Sequence, residues 1–148
     1  VKNRDLKIMK FIRRLAIDNN GVRNRFKLAA AIAHKKTIIS IGTNELRTHP
    51  LQGKFKKNND ALFLHAEIAA IANALNHMDK EELRNSTLYV HRVKRKSSLN
   101  HRDWVDGLAF PCEGCTSAIM SFGIKRVVYS TDEQDVYGEI DVQTEQQA

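Results

Sequence analysis

An α/β domain is the fold class this sequence predicts, on three observations. Apolar residues recur at helical steps near the N-terminus, two runs rich in Ala, Ile and Thr follow around a polar turn, and Ala-rich and Val-rich segments then alternate to about residue 130. The 148 residues, 42% of them apolar, suffice for one core and fall short of two ordinary domains, so residues 1–148 read as one domain.

Leu6, Met9, Ile12, Leu15 and Ala16 lie three and four apart, with Lys2, Arg4, Lys7, Lys10, Arg13 and Arg14 filling much of the remainder. That spacing predicts an amphipathic helix stopped near Asn19-Asn20-Gly21. Residues 25–33 and 37–43, around His34-Lys35-Lys36, predict a hairpin of two strands, the second ending in Gly42-Thr43-Asn44. From Glu45 to Asp60 the chain is polar and carries Pro50 and Gly53, which predicts a long functional loop. Leu62 to Leu75, rich in Ala, predicts a buried helix; Thr87 to Val93 a strand; Cys115 to Phe122 a helix stopped by Gly123; and Ile124 to Ser130 a further strand. Residues 131–148 are an acidic tail with room for a short last strand at Tyr137 to Val142 and a frayed, Gln-rich end.

Charge is unevenly placed. All 24 Lys and Arg lie before residue 131, whereas six of the 17 acids lie after it, so residues 1–130 carry +13. A body this basic favours phosphate-bearing ligands, free nucleotides or nucleic acid. No apolar run approaches the roughly 20 residues of a membrane helix, and the basic-apolar N-terminus is unlike a secretory signal. A soluble protein without membrane contact is expected. Two cysteines in C-x-x-C spacing are too few for a disulfide scaffold and point to metal or redox chemistry in a reducing compartment, the cytoplasm.

The chemistry concentrates in His65-Ala66-Glu67, at the start of the buried helix, and Pro111-Cys112-Glu113-Gly114-Cys115, at the start of the next. H-x-E followed by P-C-x-x-C is a signature of zinc-dependent nucleobase deaminases. On these motifs, and on the run from the hairpin near Phe26 to the strand ending at Tyr129, the chain resembles the cytidine deaminase superfamily. It is most similar there to the small deoxycytidylate-deaminase-like proteins of many bacteriophages. The resemblance implies a three-layer α/β/α fold, a mixed sheet of about five strands with both zinc-ligating helices on one face, and a homo-oligomer. It also implies one catalytic Zn2+ held by His65, Cys112 and Cys115, with Glu67 off the metal as proton shuttle between water, ring nitrogen and departing ammonia.

Elementary chemistry agrees with these assignments. A catalytic zinc takes three protein ligands and keeps a fourth position for water. Cys112 and Cys115, three apart at a helix start, share one face, and the positive end of the helix dipole favours their thiolates. Two residues apart within a helix, His65 and Glu67 would point about 200° away from each other. They converge only if His65 stands at the helix entrance. A C-x-x-C alone would also fit a structural zinc or a redox pair; a structural zinc needs a fourth ligand, which only a histidine among 34, 49, 77, 91 and 101 could add.

For the substrate, the resemblance implies that Asn44 contacts the ribose, that the Ala66 backbone N–H bonds the base and that Phe26 packs on it. A turn-forming Asn44 and a core Phe26 are the alternatives. Lys54, Lys56 and Lys57 on the long loop are candidates for a 5′-phosphate. Residues 94–109 lengthen the segment between the motif halves into a basic hairpin or loop, and Trp104, near Lys94, Arg95 and Lys96, could stack on a base or serve as a contact or lid. The expected activity is hydrolysis of dCMP to dUMP and ammonia. A single-stranded DNA or RNA deaminase acting on cytosine or adenine, and a catalytically inactive zinc-fold binding module, are the alternatives.

Overall fold

A computed structural model describes residues 1–20, 22, 26–35, 37–55, 63–97 and 100–142. The first helix, α1 (Asn3–Ile17), buries Met9, Ile12 and Ala16 at three- and four-residue steps and leaves Lys7 and Lys10 exposed. The hairpin follows as β1 (Lys27–His34) and β2 (Thr37–Thr43), joined through Lys35 in a left-handed conformation with φ of 58°. After it come α2 (Pro50–Phe55), α3 (Ala66–Leu75), α4 (Lys80–Leu83), β3 (Thr87–Ser97), β4 (Asn100–Gly107), α5 (Glu113–Ser121), β5 (Arg126–Ser130) and β6 (Tyr137–Asp141).

The strands form one mixed sheet in the order β2-β1-β3-β5-β6. β3 is antiparallel to β1 and parallel to β5, the parallel pairing running through the α5 crossover. β4 also pairs with β3, from Arg92↔Gly107 outward, whereas β5 takes Thr87 to Val90. The two strands thus share successive stretches of one edge. Ser130 joins them: its buried hydroxyl donates to the Gly107 carbonyl at 2.6 Å and accepts from the Arg92 N–H at 2.9 Å.

Strand alternation divides the core into two layers. Ala29, Ala31 and Ala33 of β1 join Tyr89, Val93 and Val128 beneath α1, while Ala30, Ile32, Leu88, Val90 and Val127 face α3 and α5. The result is the expected α/β/α arrangement, with six strands where about five were expected. On the second face the approach is close enough to require glycine. A β-carbon on Gly42 of β2 would fall 2.4 Å from the Ala70 amide nitrogen of α3.

Several expectations needed correction. The polar stretch after Asn44 is not all loop: Pro50 supplies a preset φ at the first position of α2, His49 Nδ1 accepts from Leu51 N at 3.0 Å, and Phe55 packs on Phe122, the C-cap residue of α5. The buried helix begins at Ala66 because Leu64 forms a β-bridge with Glu45 and His65 is extended (ψ 153°). The expected start at Leu62 lies outside the described residues, as do Lys56, Lys57 and the frayed end at 143–148. The short α4 was missed, although Asp79, three residues before Glu82, is its reciprocal capping pair. Of the two forms expected after Val93, hairpin or loop, the hairpin is the one formed, with β3 running on to Ser97. No helix among the described residues is long and apolar enough to cross a membrane.

Candidate active site

Two helix starts meet on the α3/α5 face. His65 is the N-cap residue of α3 and Cys112 that of α5, both with extended backbone, so each side chain stands at a helix entrance. This resolves the two-residue spacing of His65 and Glu67. His65 Nδ1 lies 3.3 Å from Cys115 Sγ and 3.6 Å from Cys112 Sγ, and the Cys115 N–H points to Cys112 Sγ at 3.4 Å. The imidazole and the two sulfurs lie within 4.8 Å of one another, the one group of metal-suited side chains among the described residues. Three donors suit a catalytic zinc and leave a fourth position, whereas a structural site needs a fourth protein ligand. His49 caps α2, His77 Nε2 meets the Ile39 carbonyl at 3.0 Å, and His91 is buried beside Asp106.

Of the three donors only Cys112 is prepared as an anion; zinc takes thiolates and neutral imidazole, so binding it would displace the Cys115 proton. Hydrogen bonding with Cys115, aided by His65 and opposed by burial, lowers the Cys112 pKa to about 4, so that sulfur is a thiolate at neutral pH. The Cys115 thiol, hydrogen-bonded to Cys112 and buried, is pushed well above its ordinary value. The hydrogen bond with Cys112 raises His65 against the effect of burial. Glu67, in the first turn of α3 and 4% exposed, has its pKa raised chiefly by burial.

Glu67 opens onto a cavity of about 590 Å³ lined by His65, Ala66, Cys112, Asn44, Phe26 and Arg92, among others. Ala66 opens α3, so its N–H is one of the helix's leading donors without an intrahelical acceptor. Asn44 is anchored: its side-chain oxygen accepts from Leu28 N at 2.9 Å and from Asn19 Nδ2 at 3.1 Å, and its amide NH2 takes part in neither bond. Phe26 is 43% exposed and belongs to the cavity wall, not the core.

Lys54 and Trp104 stand apart from the cavity lining. Lys54 is exposed on α2 with its ammonium 5.5 Å from the Phe55 ring, and it does not line the cavity. Lys56 and Lys57 lie outside the described residues. Trp104 packs on the opposite, α1 layer, where Lys27 Nζ sits 4.8 Å from its ring, because it pairs with Arg95 on the α1 side of the sheet. Sequence reasoning missed Gln52, whose wholly buried side chain accepts the His65 N–H at 3.0 Å and fixes the backbone of a metal ligand. It also missed Arg92. The alternation Leu88, Val90, Arg92 along β3 is a signal that places that residue on the metal-site face.

The family described as the cytidine and deoxycytidylate deaminase zinc-binding region matches residues 2–131. The chain belongs to that family. It is a zinc-dependent deaminase, with His65, Cys112 and Cys115 placed to hold the ion. Solved structures similar to this deaminase include a cytidine deaminase from Burkholderia pseudomallei, 18% identical over 97% of this chain and 95% of that one, with a TM-score of 0.61. The dCMP deaminase of cyanophage S-TIM5, in complex with dCMP and dUMP, is 20% identical over 87% of this chain and 82% of that one, with a TM-score of 0.55. At these identities the likeness is one of fold. No curated protein matches the chain by sequence.

Proposed function

We propose that this deaminase hydrolyses a cytosine nucleotide, dCMP to dUMP with release of ammonia. The observation that carries the reading is Glu67: a buried carboxyl, outside the three-ligand set, opening onto the same cavity as the metal-ligand side chains His65 and Cys112. Bound zinc supplies the Lewis acidity that brings water toward ionisation near neutral pH. Glu67 accepts one proton of the attacking water and passes it to the ring nitrogen beside the attacked carbon; it then takes the second proton from the new hydroxyl and gives it to the exocyclic amine, so that the C–N bond breaks, ammonia leaves and the ring carbonyl forms. The raised pKa suits this duty, since a carboxyl nearer neutrality both takes and returns a proton. The Ala66 N–H bonds the base edge, Phe26 packs on the base and the Asn44 amide meets the sugar.

Cytosine and a nucleotide are supported by the family's namesakes, cytidine and deoxycytidylate, by the dCMP and dUMP of the cyanophage relative, and by the basic charge of residues 1–130. The test is ammonia release from the zinc-loaded chain offered dCMP, deoxycytidine, cytosine, adenosine, guanine and a single-stranded oligonucleotide. The highest kcat/KM is expected on dCMP. A preference for adenosine, guanine or the oligonucleotide would replace the reading, and inactivity on all six would favour a binding module.

A further inference from the structure

The cavity has two unlike ends. Of the lining residues, Ala66 and Glu67 at the floor are 0% and 4% exposed, whereas Phe26, Leu108 and Phe110 at the mouth are 43%, 44% and 57% exposed. A cytosine nucleotide reacting at the amine-bearing carbon must enter ring first, so its sugar and phosphate trail toward that mouth. Among the described residues that line the cavity, Arg92 is the one Lys or Arg.

Its placement is built by the strands around it. Arg92 stands opposite Leu28 on one neighbour and Gly107 on the other. A β-carbon on Gly107 would lie 3.3 Å from both Cγ and Cδ of Arg92, so the missing side chain lets the arginine stem cross β4. The guanidinium carbon then rests 4.4 Å from the centroid of the Phe26 ring, a contact that holds a cation over an aromatic face. Its hydrogen bonding is nearly unspent: Nη1 reaches the Leu108 carbonyl at only 3.4 Å, and the shielded Nε meets no acceptor among the described residues. The nearby carboxylates are engaged elsewhere. Glu45 accepts from Arg47, and Asp132 from Lys94 and the Leu108 N–H.

We infer that Arg92, stacked on Phe26 at the cavity mouth, is the residue that binds the 5′-phosphate of the substrate and selects a nucleoside monophosphate over the nucleoside. The inference rests on the nucleotide reading above and names the group that would enforce it. A planar guanidinium with most of its five donors uncommitted suits bidentate recognition of a phosphate. The same chemistry could serve an internal phosphate of a single strand, and the experiment separates the two.

The test compares kcat/KM for dCMP and deoxycytidine in the parent, Arg92→Ala, Arg92→Gln and Arg92→Lys, each checked for zinc content and melting temperature. Loss of a charge-assisted contact should lower the dCMP to deoxycytidine ratio roughly 10- to 150-fold in the Ala and Gln variants. Lys should restore part of it. Calorimetric binding of dUMP against deoxyuridine reads the same selectivity without turnover. If the parent deaminates none of the substrates, the proposed reaction fails while the dUMP arm still decides the role of Arg92. An unchanged ratio in both Ala and Gln variants, or a parent indifferent to the phosphate, overturns the inference. So does an oligonucleotide with an internal cytosine that binds more tightly than dUMP and loses affinity in the same variants.

Discussion

Removing the Asp5 carboxylate should cost this protein a large part of its stability without touching the active site. Asp5, in the first turn of α1, is wholly buried and accepts from Lys2 N at 2.7 Å, Tyr89 Oη at 2.5 Å and Arg126 at 3.1 and 2.7 Å. Burial alone would raise its pKa; the hydrogen bonds from Arg126, Lys2 and Tyr89 outweigh that and hold it well below the usual carboxylate range. Tyr89 is pushed the other way, to about 12, by burial and by Asp5. Breaking a buried pair by deleting one member costs roughly 3–5 kcal/mol. Asp5→Ala leaves Arg126 its bond to Glu139 but strands the Tyr89 hydroxyl, so the estimate stands at about 3–5 kcal/mol, or roughly 6 to 20 °C in Tm for a chain of this length. Because the folded pKa is depressed, the contribution is complete above the unfolded value near 3.9 and is lost as pH falls below it toward the folded one. Thermal melts from pH 7 to pH 3, at constant zinc, should therefore show the gap between parent and variant closing as pH falls below about 4. A gap below about 1 kcal/mol at pH 7, or one that stays constant down to pH 3, would refute the assignment of this stability to an ionised Asp5.

Four other outcomes follow from the site and the sheet. Glu67→Gln should keep about one zinc per chain and lose roughly 10²- to 10⁴-fold in turnover, read by metal analysis alongside ammonia release. The double variant Cys112→Ala, Cys115→Ala should lose stoichiometric zinc and melt lower, because metal binding is coupled to folding; stoichiometric metal in it would sink the ligand assignment. Gly42→Ala should cost about 1–3 kcal/mol in denaturant titration, since the new methyl meets the α3 backbone, which cannot rotate away as a side chain can. Trp104→Ala should lower stability by about 2 kcal/mol, less than a fully buried Trp, and leave KM for dCMP unaltered, whereas a role in base stacking would raise KM.

The metal site was legible in the sequence because its logic is local. The H-x-E spacing is sterically unworkable inside a helix, so it foretold an N-cap histidine, and C-x-x-C at a helix start foretold two sulfurs on one face; both appear at α3 and α5. The regular elements were legible for a related reason, as periodicity alone separates Met9, Ile12 and Ala16 from the exposed side of α1. Segments whose form depends on a single cap or bridge escaped it. Pro50 with His49 turned part of a polar stretch into α2, and the Glu45↔Leu64 bridge delayed α3 to Ala66.

Substrate contacts depend on register and on which face a strand presents, and composition carries neither. Lys94, Arg95, Lys96 and Trp104 form a basic aromatic cluster on paper, yet alternation along β3 sends Arg92 and Lys94 to one face and Arg95, opposite Trp104, to the other. The tryptophan is thereby spent on the α1 layer. Arg92, two residues before the run of cations, alternates with Leu88 and Val90 and so inherits the face of the metal site. Whether it can reach the cavity was undecidable until Gly107 was paired with it, since any side chain there would meet the arginine stem. The contact that would recognise a phosphate is therefore a property of the β3–β4 register, and a one-residue slip of β4 would set Asp106 or Leu108 where Gly107 now lets the arginine stem pass.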